Sequence, residues 1–209
     1  SFDYFHETKK LNVSLAYYHK SDKGSSNSVN QPIINAVVTN GLEIGVNWFI
    51  NKNITVGLNN TILDQKGVAN NYELDLPGSL KYFIKSQLTY NNPKLFNTSL
   101  SLTNRPGLLY STPSSSYYNP DAKSFQPVYT EYFNNRFNNY FRLDFTINKI
   151  INVKNNPIIA FLTISNLTNN KNQMSVLYNQ DYTLIDYNYY QERILYFGFQ
   201  IRIKHEKRT

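Results

Sequence analysis

Arg142 and Asp144 stand two residues apart in the stretch YFRLDFTINKI (140–150). In an extended strand that spacing puts both side chains on one face. A guanidinium and a carboxylate placed so can pair with each other, pair across to neighbouring strands, or meet a ligand. A structural ion pair lining a wall is the expected reading. Other reactive sets are missing. The chain has no Cys, which excludes disulfides, thiolate metal sites and a Cys nucleophile. Its three histidines are His6, His19 and His205, and His19 has no evident Ser and Asp partner set. The expectation is a protein that is not an enzyme and holds no metal or cofactor.

The face opposite the two charges carries Phe141, Leu143, Phe145 and Ile147. Eight runs read as strands, at 11–19, 34–50, 53–63, 79–90, 94–104, 139–150, 157–168 and 194–203; five alternate well, and 94–104 and 157–168 are noisier. Leu42, Ile44, Val46 and Trp48 alternate with Glu43, Gly45 and Asn47. Leu80, Tyr82, Ile84, Leu88 and Tyr90 alternate with Lys81, Lys85, Gln87 and Thr89. Leu195, Phe197, Phe199 and Ile201 alternate with Tyr196, Gly198, Gln200 and Arg202. Glu43, Lys81, Lys85, Arg142, Asp144 and Arg202 are therefore expected on one continuous polar surface. No stretch has a helical period, and none has 18 consecutive apolar residues. The 209 residues carry 21 Lys and Arg against 14 Asp and Glu, a net +7. These charges are scattered, apart from the tail KHEKRT (204–209), and no nucleic-acid signature accompanies them.

The connections alternate in length. NKN (51–53), NNPK (91–94) and NVKNNP (152–157) are short, whereas roughly 20–33, 64–78, 105–138 and 169–193 are long. All long loops then fall at one end of the strands and all tight turns at the other. Outer-membrane barrels are built this way, with strands alternating apolar outward and polar inward. The Phe141 face is expected to meet lipid, because an Arg there costs about 2–4 kcal/mol at the membrane midplane. The 18 Tyr and 13 Phe fit aromatic belts, with Tyr82, Tyr140 and Tyr196 at the loop ends and Trp48 and Tyr90 at the turn ends.

Five passages in order carry a family resemblance. They are NGLEIGVNWFINKNITVGLNNT (40–61), TNRPGLLYST (103–112), NYFRLDFTI (139–147), ISNLTNNKN (164–172) and ERILYFGFQIRI (192–203). The chain resembles the C-terminal barrel portion of a TonB-dependent receptor of the Bacteroidota type. The resemblance implies an all-β fold: an antiparallel transmembrane β-barrel segment, about eight strands of a barrel of about 22. It implies that residues 1–209 are one C-terminal barrel segment, a fragment without plug domain or signal peptide. It implies an integral outer-membrane protein with long loops outside and tight turns and C-terminus in the periplasm. Its partners would be lipid and lipopolysaccharide, the rest of the barrel and plug, TonB through that plug, and in some systems a surface lipoprotein. The implied activity is energised uptake of a scarce nutrient such as a siderophore, oligosaccharide or peptide. Tyr129, Tyr132, Tyr187 and Tyr189, with Arg136, are the expected loop contacts to sugar or chelate rings. The alternative is a complete eight-stranded OmpA/OmpX-like barrel with an adhesion, structural or pore role.

Overall fold

Alternating β-branched and aromatic residues favour extended chain, and Asn, Gly and Pro break the runs. The computed structural model describes residues 1–26, 34–69, 72–76, 78–153 and 156–201. Arg202, His205 and the basic tail lie outside them. The described residues contain no helix. They form β1 (Phe2–Glu7), β2 (Leu11–Ser26), β3 (Ile34–Phe49), β4 (Ile54–Ala69), β5 (Tyr72–Asp75), β6 (Tyr82–Asn92), β7 (Phe96–Arg105) and β8 (Leu109–Tyr110). They continue with β9 (Ser115–Asn119), β10 (Ser124–Val128), β11 (Asn135–Arg136), β12 (Tyr140–Val153), β13 (Asn156–Ser165), β14 (Gln173–Tyr178), β15 (Ile185–Tyr189) and β16 (Ile194–Ile201).

One antiparallel sheet runs β1-β2-β3-β4-β6-β7-β12-β13-β16, with β5 added beside β4. The eight expected runs are all strands of this path, and β1 precedes them. β1 and β16 end the order and do not pair with each other among the described residues. The tight turns share one end and are held by short side chains. Asn51 Oδ1 accepts from the N–H groups of Asn53 (2.8 Å) and Ile54 (3.0 Å). Thr8 Oγ1 accepts from Leu11 N–H (2.9 Å), and Asn92 Oδ1 from Lys94 N–H (3.1 Å). Such Asx and hydroxyl turns let a strand reverse without leaving its backbone groups unpaired.

At the other end the long connections carry strand of their own. β2 and β4 run on well past the expected ends at 19 and 63, β3 keeps its expected span, and the long loops carry their own ribbons. β8 pairs with β11, β9 with β10, and β14 with β15. Backbone pairing satisfies N–H and C=O groups that a bare loop would have to leave to water.

The register separates two faces. Leu143 stands opposite Leu102, Phe145 opposite Leu100 and Ile164, and Ile164 opposite Leu195. On the other face Arg142 stands opposite Thr103, Asp144 opposite Ser101, and Thr146 opposite Ser99 and Thr163. The separation is incomplete. Asn60 and Ser86 sit on the apolar side, opposite Ile84 and Leu58 respectively. Phe161 sits on the polar side, where its ring lies over Gly198; a Cβ there would come within 2.8 Å of that ring. An aromatic covering a strand glycine replaces the missing side-chain contact.

The sheet is a single layer. A water-soluble sheet buries its apolar face against a second layer. Here Phe137 is the one buried hydrophobic side chain among the described residues, while Phe197 is 74% and Phe199 73% exposed.

Candidate functional site

Of the six charged residues expected on one polar surface, the register puts Glu43, Lys85, Arg142 and Asp144 on the same face of the sheet. Arg142 Nε donates to both oxygens of Asp144, at 2.8 and 2.9 Å, so this pair forms within one strand. Asp144 Oδ1 also accepts the Asn166 N–H at 2.8 Å. Lys85 stands opposite Asn59 and Thr103, and Thr103 stands opposite Arg142, so these side chains line one row. Glu43 lies opposite Ala16 and Thr61. Neither Glu43 nor Lys85 makes an ion pair with another described residue. Lys81 precedes β6 and is exposed.

Arg105 is a charge that the sequence reasoning missed. Its guanidinium carbon lies 4.7 Å from the centre of the Tyr140 ring and 6.0 Å from that of Tyr190. Those two rings meet edge to face at 5.4 Å. Nη1 donates to the Pro106 carbonyl at 3.2 Å. A cation between ring faces keeps part of its charge compensated without a carboxylate. Arg105 is the last residue of β7, within TNRPGLLYST, and Tyr140 stands opposite it in the register. The available signal was an Arg at a strand end facing a Tyr.

Above the sheet, ISNLTNNKN forms an asparagine knot. Asn166 has φ 52° and Asn169 φ 54°, a left-handed conformation that Asn tolerates better than most residues. The Asn166 side chain is 1% exposed. Its Nδ2 donates to the carbonyls of Asn170 (3.0 Å) and Gln191 (3.3 Å), and its Oδ1 accepts from Asn170 N–H (3.0 Å). Asn172 bridges both backbone groups of Phe141: Oδ1 accepts the N–H at 2.8 Å and Nδ2 donates to the carbonyl at 2.9 Å. The knot fastens the long loop after β13 to β12, so its asparagines hold structure.

The five expected loop residues fall into different surroundings. Tyr129 and Tyr132 stack, with centroids 6.1 Å apart. Burial, with the neighbouring Tyr182 and Tyr132, pushes the Tyr129 phenol above its ordinary pKa. Tyr132 and Tyr189 are exposed. Arg136 Nη1 donates to the Gly107 carbonyl at 2.7 Å. Tyr187 is packed inside a cluster: its hydroxyl lies 3.2 Å from that of Tyr110, and its ring meets Phe137 edge to face at 6.1 Å. Tyr110 stacks on Phe137 at 4.4 Å. Burial, and then the bond to Tyr187, pushes the Tyr110 pKa up to about 12. Gly107 permits this packing, since a Cβ there would lie 1.9 Å from the Phe137 carbonyl oxygen. Beside the cluster is a pocket of ≈ 370 Å³ lined by Leu108, Tyr110, Ser111, Phe137, Met174 and Val176, among others. Tyr110, Phe137 and Met174 were not singled out in the sequence, because β8 and β11 are too short to announce their pairing.

No group of three or more metal-ligating side chains occurs among the described residues. No protein-family model and no curated protein matches the chain. Among solved structures, the chain is similar to the ferric yersiniabactin uptake receptor FyuA from Yersinia pestis. The TM-score is 0.62 at 12% identity, over 95% of this chain and 28% of that one. At that identity the likeness is one of fold. The chain folds as a β-barrel segment like that of a receptor of this kind, and it spans about a quarter of that receptor's length.

Proposed function

We propose that this chain is a wall segment of an outer-membrane TonB-dependent receptor, with loops that take part in energised uptake of a scarce nutrient. One observation carries the reading. A single-layer sheet exposes a mostly apolar face and has almost no buried hydrophobic side chain among the described residues. Such a sheet needs hydrocarbon as the solvent on that side. The polar face then lines a lumen, with Glu43, Lys81, Lys85, Arg142 and Asp144 on it. The edges of β1 and β16, without a pairing strand among the described residues, fit a wall that continues into further strands, since an open edge in lipid is not sustained. This favours the segment over a self-closing eight-stranded barrel. A plug, TonB and lipopolysaccharide would be the partners of the whole receptor, with long loops outside and tight turns in the periplasm.

In this reading Tyr129, Tyr132 and Tyr189 offer ring faces to the ligand, with Arg136 and Tyr187 behind them. The ligand class is left among siderophore, oligosaccharide and peptide. The test is to delete the gene and follow uptake of labelled ferric chelates, oligosaccharides and peptides with and without a proton uncoupler. We expect one class to lose its uncoupler-sensitive uptake. Unchanged uptake of all three would overturn the transport reading.

A further inference from the structure

The apolar face is not smooth. At its turn end, β7, β12, β13 and β16 enclose an apolar notch of ≈ 350 Å³. Lys149 stands opposite Ala160, and Ala160 opposite Phe199. The next row is Ile147, Leu162 and Phe197. Phe96 and Leu95 close the far side. The notch exists because Ala160 places one methyl group where its row neighbours place long side chains.

Lys149 is the only charged residue that the register puts on the apolar face of these four strands, among the described residues. It is exposed and makes no ion pair with another described residue. An ammonium on an apolar wall is costly unless an anion or water meets it. Its depth fits an anionic headgroup. Lys149 is nine positions beyond Tyr140; at about 3.3 Å rise and about 40° tilt those steps span about 23 Å, close to the apolar band of about 25 Å.

We propose that the notch binds one acyl chain of an anionic glycerophospholipid, with the lipid's phosphate held by Lys149. One molecule thereby supplies both the hydrocarbon and the counter-charge. The inference rests on the sheet being a membrane wall. The notch lies at the tight-turn end, which in that reading faces the phospholipid leaflet rather than the phosphorylated glycolipid outside.

The experiment is native mass spectrometry of the protein extracted from membranes, titrated with phosphatidylglycerol, phosphatidylethanolamine and lipid A. We expect phosphatidylglycerol to be retained about fivefold over phosphatidylethanolamine, the worth of one cation near an anionic headgroup. Lys149→Gln should erase that preference and Lys149→Arg should keep it. Ala160→Phe, which fills the notch, should lower retention of both phospholipids. No preference in the natural protein, no effect of Lys149→Gln, or stronger retention of lipid A would overturn the proposal. Alkaline carbonate extraction separates the two levels. A chain stripped from membranes by carbonate sinks the wall reading itself, whereas a resistant chain without phosphatidylglycerol preference sinks only the lipid site.

Discussion

Asn166 shows how much one side chain holds. Replacing it with Ala strands the Asn170 N–H and the carbonyls of Asn170 and Gln191, all of which it satisfies. Asn170 is half-buried and Gln191 exposed, so water can meet part of the loss, which falls toward the lower end of the about 1–3 kcal/mol that a buried unpaired polar group costs. We expect Asn166→Ala to detach the segment after β13, read as faster proteolysis within 166–193 while the sheet stays intact. Tyr110 offers a pH test. Its pKa is about 12 in the folded loops against 10.0 ordinarily. A raised folded pKa means the neutral form is favoured by the fold, so its contribution is full below pH 10 and is lost as pH rises through about 12. The tyrosinate difference spectrum between the natural protein and Tyr110→Phe should show this late titration. Tyr187→Phe should lower its midpoint yet leave it above 10, because burial is the larger cause. A midpoint at the ordinary value would mean that the cluster does not form.

At the scale of the element, the two faces of a strand should respond differently to the same charge. Phe145→Arg, at mid-strand, should impair assembly by about 2–4 kcal/mol if its face meets lipid, whereas Phe199→Arg, in the row of Lys149 near the interface, should cost about 0–1 kcal/mol. Gln200→Arg and Thr146→Arg should be well tolerated, and heat-modifiable migration of the assembled protein would report both. The alternation that supports this prediction was legible in the sequence, because a period of two is a local property. β12 and β16 show it plainly. β1 was not legible: FDYFHE mixes charge with aromatics, and only pairing of Phe2 with Tyr17 through Glu7 with Asn12 makes it a strand. The loop ribbons were hidden for the same reason, since β8 and β11 are two residues each and are brought together by a connection of more than 20 residues. Charge placement was readable for Arg142 and Asp144, two apart on one strand. Arg105 was not, because its partners Tyr140 and Tyr190 are far along the chain.

Across the whole molecule, the long loops gather at one end of the sheet and the tight turns at the other. Protease added to intact cells should therefore cut within 105–138 before it reaches the 51–53 turn; early cutting at that turn would reverse the orientation. The central claim is that the sheet is a membrane wall with its apolar face in lipid. The chain has no Cys, so a single cysteine introduced into it is the only thiol these 209 residues contribute. The most direct measurement places spin labels one at a time along 195–200 of the membrane-embedded protein. It then compares their accessibility to oxygen and to a water-soluble nickel chelate. The account predicts a period of two, with oxygen dominant at 195, 197 and 199 and the nickel chelate dominant at 196, 198 and 200. Uniform access to the nickel chelate at all six positions would contradict it.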